Sequence, residues 1–132
     1  MAKILIVDDS AFQRNNVRFI LKSGGHVVAE ASNGREALEA AAAQAPDCIL
    51  LDIMMPELDG WEVLTAMRER GLRIPVIMLI ADVQDSTRKK CLDLGAVAVI
   101  HKPADRDQLL DLIDTVLSSN PHASRPSGAS AS

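Results

Sequence analysis

Short apolar runs alternate along the chain with longer amphipathic stretches, and turn residues separate them. KILIV (Lys3 to Val7), HVVAEA (His26 to Ala31), CILLD (Cys48 to Asp52), IPVIMLI (Ile74 to Ile80) and AVAVI (Ala96 to Ile100) read as strands. Ser10 is placed to cap a first helix that runs to about Lys22 and stops at Gly24-Gly25. SNG (Ser32 to Gly34) is a turn, and the alanine-rich REALEAAAAQ that follows is a second helix. Pro56 and the Asp59-Gly60 pair keep the chain irregular until a third helix begins near Trp61. A polar fourth helix ends at Leu94 before Gly95, and a fifth spans about Asp105 to Ser118.

Strands that each lead into a helix predict a parallel sheet, because parallel neighbours need crossover connections. Helices on both faces then bury the strands on both sides, which explains why the runs are continuously apolar rather than alternating. The expected fold is a doubly wound α/β sandwich. In such sheets ligands bind outside the carboxyl ends of the strands, where the strand order reverses. Asp8, Asp9, Asp52, Ile80 and Lys102 all fall at or just past predicted carboxyl ends. Charged groups from three distant segments are therefore expected to meet at one edge.

The 132 residues fit one domain, and 48% hydrophobic content supplies a core. A net charge of -4 without a long basic run argues against a nucleic-acid surface. Cys48 and Cys91 are far apart and lack a nearby histidine pair, so they read as small buried residues rather than a disulfide or thiolate metal site. No apolar run is long enough to span a membrane and no signal-peptide pattern opens the chain, so the cytoplasm is the expected compartment. The folded unit is expected over 1–118. From 119 to 132 the composition turns to Ser, Ala, Pro and Gly, which reads as a disordered tail or the start of a linker.

Adjacent carboxylates at the mouth of a buried strand repel each other and are costly to desolvate. A hard divalent cation relieves that repulsion, and Mg2+ suits it: oxygen ligands, retained waters, one or two carboxylates and a phosphate. Lys102 adds positive charge, which suits the pocket to a phosphoryl group as well as a metal. With one aspartate as nucleophile, the product would be an aspartyl phosphate. Taken singly, each residue has a plainer reading: an Asp after a strand is a cap or turn residue, and Lys-Pro is a surface turn. Their order along the chain is far more specific.

KILIVDDS, ASNGREALEAA, LLDIMMPELDGWEVL, IPVIMLIAD and DLGAVAVIHKP occur in that order and resemble the receiver domain of two-component response regulators, over about Lys3 to Ser118. The resemblance implies a flavodoxin-like five-stranded sheet of order 2-1-3-4-5 with five helices. It implies that Asp52 is the phosphoacceptor, Asp9 a direct Mg2+ ligand, Asp8 a ligand through water, and Met54 a backbone-carbonyl ligand. Lys102 would contact the phosphoryl group, and Pro103 would shape the next turn through the family's cis peptide. Met54 and Asp82 would stand where side chains influence hydrolysis of the acyl phosphate. The implied role is a phosphoacceptor signalling module rather than an enzyme on external substrates. Its implied partners are a histidine kinase or phosphotransfer protein, and a downstream protein met through the fourth helix, fifth strand and fifth helix.

Two positions depart from the family pattern. The end of the fourth strand usually bears Thr or Ser, and here it is Ile80; the aromatic usual in the fifth strand is Val99. Isoleucine has no donor for a phosphoryl oxygen, so altered switch coupling is expected. A receiver-like scaffold that works without phosphorylation is the second reading, and a small phosphotransfer enzyme or phosphatase the third. Trp61 and Met55, Met67 and Met78 read as packing residues, while His26, His101 and His122 are dispersed.

Overall fold

The computed structural model describes residues 2–55, 58–81 and 84–119 of the chain. Pro56, Asp82, His122 and the stretch expected to be a tail lie outside the described residues, apart from Ser119. Five strands and five helices alternate: β1 Lys3–Val7, α1 Ala11–Ser23, β2 Val27–Ala31, α2 Gly34–Gln44, β3 Cys48–Asp52, α3 Gly60–Glu69, β4 Val76–Ile80, α4 Asp85–Asp93, β5 Ala98–His101 and α5 Arg106–Ser119. The sheet is parallel throughout, in the order β2-β1-β3-β4-β5. This is the doubly wound sandwich expected from the alternation, in the flavodoxin-like strand order that the resemblance implies.

Parity along the strands sorts the core into two layers. Leu5, Val7, Ile49, Leu51, Val76, Met78 and Ile80 pack with α2, α3 and α4. Ile4, Ile6, Cys48, Leu50, Ile77 and Leu79 pack on the other face with α1 and α5. All residues of β3 and β4 are buried, as central parallel strands require, whereas β2 is a half-exposed edge. Both cysteines are buried, and burial pushes the Cys48 thiol up to about 12. No described helix is long and apolar enough to cross a membrane.

The differences from the sequence reading lie at the element ends, where local signals compete. β4 begins after Pro75, which lacks the N–H needed to donate to the ladder, rather than at Ile74. β5 starts two residues later than expected, at Ala98, and ends one later, at His101, because its pairing with β4 runs from Ile77 opposite Ala98 to Ile80 opposite His101. Asn33, read as part of a turn, is the N-cap of α2 and accepts from the Glu36 N–H at 2.9 Å.

Candidate phosphoacceptor and metal site

Asp8, Asp9 and Asp52 meet where the sequence places them, at the carboxyl ends of β1 and β3. One carboxylate oxygen from each lies within 4.8 Å of those of the other two. Asp8 and Asp52 are buried, and Asp9 is exposed. Strand order reverses at β1, so chains leaving β1 and β3 depart to opposite faces and open a crevice between them. Asp8 folds back on the start of α1, its Oδ1 accepting the Ser10 N–H at 2.9 Å, while Ser10 Oγ caps the helix by accepting from Gln13.

Lys102 enters from the end of β5 and supplies the local counter-charge. Its Nζ lies 2.7 Å from Asp52 Oδ1 and 3.3 Å from Asp8 Oδ2. Its backbone N–H donates to the Ile80 carbonyl at 2.8 Å, fixing where the side chain starts. The following Lys102–Pro103 peptide is cis. Burial pushes the Asp52 carboxyl above the ordinary carboxylate range despite the hydrogen bond from Lys102, and Asp8 nearby adds to the rise. Burial alone would lower the Lys102 ammonium, but the hydrogen bond and charge of Asp52, then Asp8, hold it above its ordinary value.

When all four groups are ionised, three carboxylates face one ammonium, so the cluster keeps an excess of negative charge. The donor set is all oxygen and anionic, which fits a hard divalent cation such as Mg2+ and not a softer thiolate-seeking metal.

A cleft of about 560 Å³ opens beside the acceptor, lined by Asp52, Met54, Trp61, Ile80, Thr87 and Lys102 among others. Ile80 is buried at its wall, and Val99 is half-buried on the same sheet face, opposite Met78 in the register. Ile80 and Val99 thus lie in one core layer with Cys91 of α4. Met54 is 75% exposed, so its side chain adds little packing at the rim of the cleft.

Three features of the site were not apparent in the sequence. Gly60 opens α3 against the back of the acceptor: a Cβ there would lie 2.6 Å from the Asp52 carbonyl oxygen and 2.7 Å from the Ile53 Cα. Both are backbone atoms of the strand end and cannot yield. Gly60→Ala is expected to destabilise the fold by about 3 kcal/mol, read as a lowered urea midpoint with an unchanged slope. Lys90 of α4 places its Nζ 4.4 Å from the centre of the Trp61 ring, tying α4 to α3 beside the cleft. Arg14 of α1 donates to the Asp8 carbonyl at 2.6 Å.

A doubly wound sheet with an acidic triad and a lysine at its switch point defines a class of phosphoacceptor-like α/β proteins. The model of the response regulator receiver domain matches residues 4–114, and the chain belongs to that family. It is 40% identical over 116 residues to the chemotaxis protein CheY of Bacillus subtilis, covering 87% of this chain and 97% of that protein. It is 41% identical over 108 residues to the response regulator MprA of Mycolicibacterium vanbaalenii, covering 82% of this chain and 47% of that protein. The chain thus spans about half the length of the MprA relatives. The structure of the Vibrio cholerae chemotaxis protein CheY4 superposes with a TM-score of 0.82 at 33% identity, over 88% of this chain and 98% of that one. This chain is a receiver domain of two-component phosphorelay signalling, and the scaffold reading is not favoured: the acidic pocket is present. Phosphorylation and Mg2+ binding are typical of the family, whose members are in general signalling domains rather than enzymes and work with histidine kinases and downstream targets.

Proposed function

We propose that Asp52 accepts a phosphoryl group from a histidine kinase or phosphotransfer protein, within a receiver unit spanning 1–118, and later loses it to water. The observation that supports this most directly is the convergence of Asp8, Asp9, Asp52 and Lys102 in one crevice. An Asp52 carboxylate oxygen attacks phosphorus, its new P–O bond forming as the donor's bond to phosphorus breaks. Lys102, already 2.7 Å from that carboxylate, shifts to the phosphoryl oxygens and offsets the charge they bring. Asp8, Asp9, Asp52 and the Met54 carbonyl are the groups that would hold Mg2+, Asp9 directly and Asp8 through water. Bound there, Mg2+ supplies further neutralisation of the phosphoryl charge. Pro103 supports the turn that aims Lys102. The expected cytoplasmic location belongs to the same reading.

Incubation with a small acyl phosphate tests it by intact-protein mass. A gain of one phosphoryl group is expected with Mg2+ and none with a chelator. An unchanged mass in both samples, from folded protein, rejects the acceptor role.

Ile80 and Val99 bear on output rather than on chemistry. A phosphoryl group shifts a conformational equilibrium only through contacts that differ between its two states, and neither side chain offers it a donor. Output through the face of α4, β5 and α5 is therefore expected to be weakly coupled to Asp52. Ile80→Thr restores a hydroxyl at the cleft wall, and it is expected to enlarge the amide chemical-shift changes of α4 and β5 on phosphorylation. Equal changes in both proteins would reject altered coupling through Ile80.

A further inference from the structure

The backbone that presents the metal-binding carboxylates is held from outside the site. Asp8 leaves β1 with its N–H donating to the Ala31 carbonyl at 3.2 Å and its own carbonyl accepting from Arg14 Nη1 at 2.6 Å. Arg14 also donates from Nε to Glu30 Oε1 at 3.1 Å, and the other oxygen of Glu30 takes Arg18 Nη1 at 3.2 Å. The Arg14 side chain is 18% exposed and its bond to the Asp8 carbonyl is partly buried, whereas the pairs with Glu30 face solvent.

We propose that Arg14 is a positioning residue for the Asp8–Asp9 pair, fixing the peptide from which both carboxylates reach a divalent cation. This rests on the reading that the crevice takes Mg2+. Repulsion among the three carboxylates tends to splay the end of β1 away from Asp52. A charge-assisted hydrogen bond on the Asp8 carbonyl opposes that movement. The planar guanidinium reaches two elements at once, the end of β1 and Glu30 of β2, which a lysine with one ammonium is not preorganised to do. Glu30 has a second part: pairing with Arg14 offsets a positive charge that would otherwise repel the incoming cation.

The sign of the effect separates positioning from simple charge. Acting by charge alone, Arg14 disfavours a cation, and its removal would tighten Mg2+ binding. Acting by position, its removal weakens binding, because the carboxylates lose their common geometry. Outer partners of metal ligands typically alter affinity by about 10-fold or more.

Mg2+ affinity is to be measured by calorimetry on wild type, Arg14→Ala and Arg14→Lys, with the thermal midpoint of each metal-free protein recorded alongside. Arg14→Ala is expected to bind Mg2+ about 10-fold more weakly, with Arg14→Lys between it and wild type. The deficit is expected to persist in high salt, which screens a charge effect but not a lost hydrogen bond. Should Arg14→Ala fail to fold, Arg14→Lys decides at about 3-fold weaker binding. Affinity within 2-fold of wild type, or tighter, overturns the proposal even where the thermal midpoint falls, since that is the mark of a merely structural contact. No Mg2+ binding by wild type overturns the phosphoacceptor reading and this proposal together.

Discussion

Asp52→Asn gains no phosphoryl mass under any condition in which wild type does, and yet its metal-free form is more stable at neutral pH. The first effect follows from chemistry, since an amide oxygen is too weak a nucleophile to take the phosphoryl group. The second follows from the cost of the site. The Asp52 side chain is 4% exposed and lies beside Asp8, and burial raises its carboxyl above the ordinary range. A carboxyl raised in the folded state takes up its proton at higher pH than in the unfolded chain. Its favourable contribution is present below the unfolded pKa and is lost as pH rises through the folded one. Wherever Asp52 is ionised wild type has lost that contribution, whereas the amide has no charge to bury. A stability gain of about 1 kcal/mol is expected for the variant at pH 7, shrinking as the pH is brought down through the folded pKa of Asp52. Urea titrations at several pH values, beside the mass measurement, check both halves. A variant that still gains mass would move the acceptor to another residue.

Lys102→Ala is expected to have the opposite balance. It strips the counter-charge from Asp52 and Asp8, leaving carboxylates together in a site with little solvent, and should cost about 3 kcal/mol of metal-free stability. It also removes the donor poised to meet the incoming phosphoryl oxygens, so the rate of mass gain should fall by roughly 10²-fold or more. Mg2+ affinity should rise in the same variant, because the ammonium no longer competes for Asp8 and Asp52. The raised Lys102 value sets the alkaline limit of this contribution. Its stabilisation is complete below the unfolded lysine pKa, about 10.4, and is lost as pH rises through the still higher folded value. Stopped-flow phosphorylation and calorimetry on one preparation test the pair of effects. A normal rate with tighter Mg2+ binding would show that Lys102 balances charge at rest and has no part in transfer.

Both predictions come from one arrangement: the ammonium that compensates the carboxylates at rest lies 2.7 Å from an Asp52 carboxylate oxygen. A pocket with this excess of negative charge accepts a divalent cation readily, and the ammonium keeps the fold from paying the full repulsion without one. Ile80 lines the cleft beside Asp52, and Val99 packs in the same core layer; neither belongs to the acidic cluster.

The architecture and the acidic groups are legible in the order of residues along the chain. Central parallel strands are buried on both faces, so ILIV, CILL and VIMLI appear as unbroken apolar runs, and the aspartates that follow β1 and end β3 mark the functional edge. Element ends were less legible at β4 and β5, where Pro75 and the pairing register decide the boundary. How Lys102 divides between Asp52 and Asp8, why Gly60 must lack a side chain, that Trp61 meets Lys90 and that Arg14 grips the Asp8 carbonyl are visible only in the folded chain. The difference is one of range. Periodicity and capping are written in neighbouring residues, whereas these contacts join elements distant along the chain, and their geometry exists only once the sheet has set the strand ends side by side.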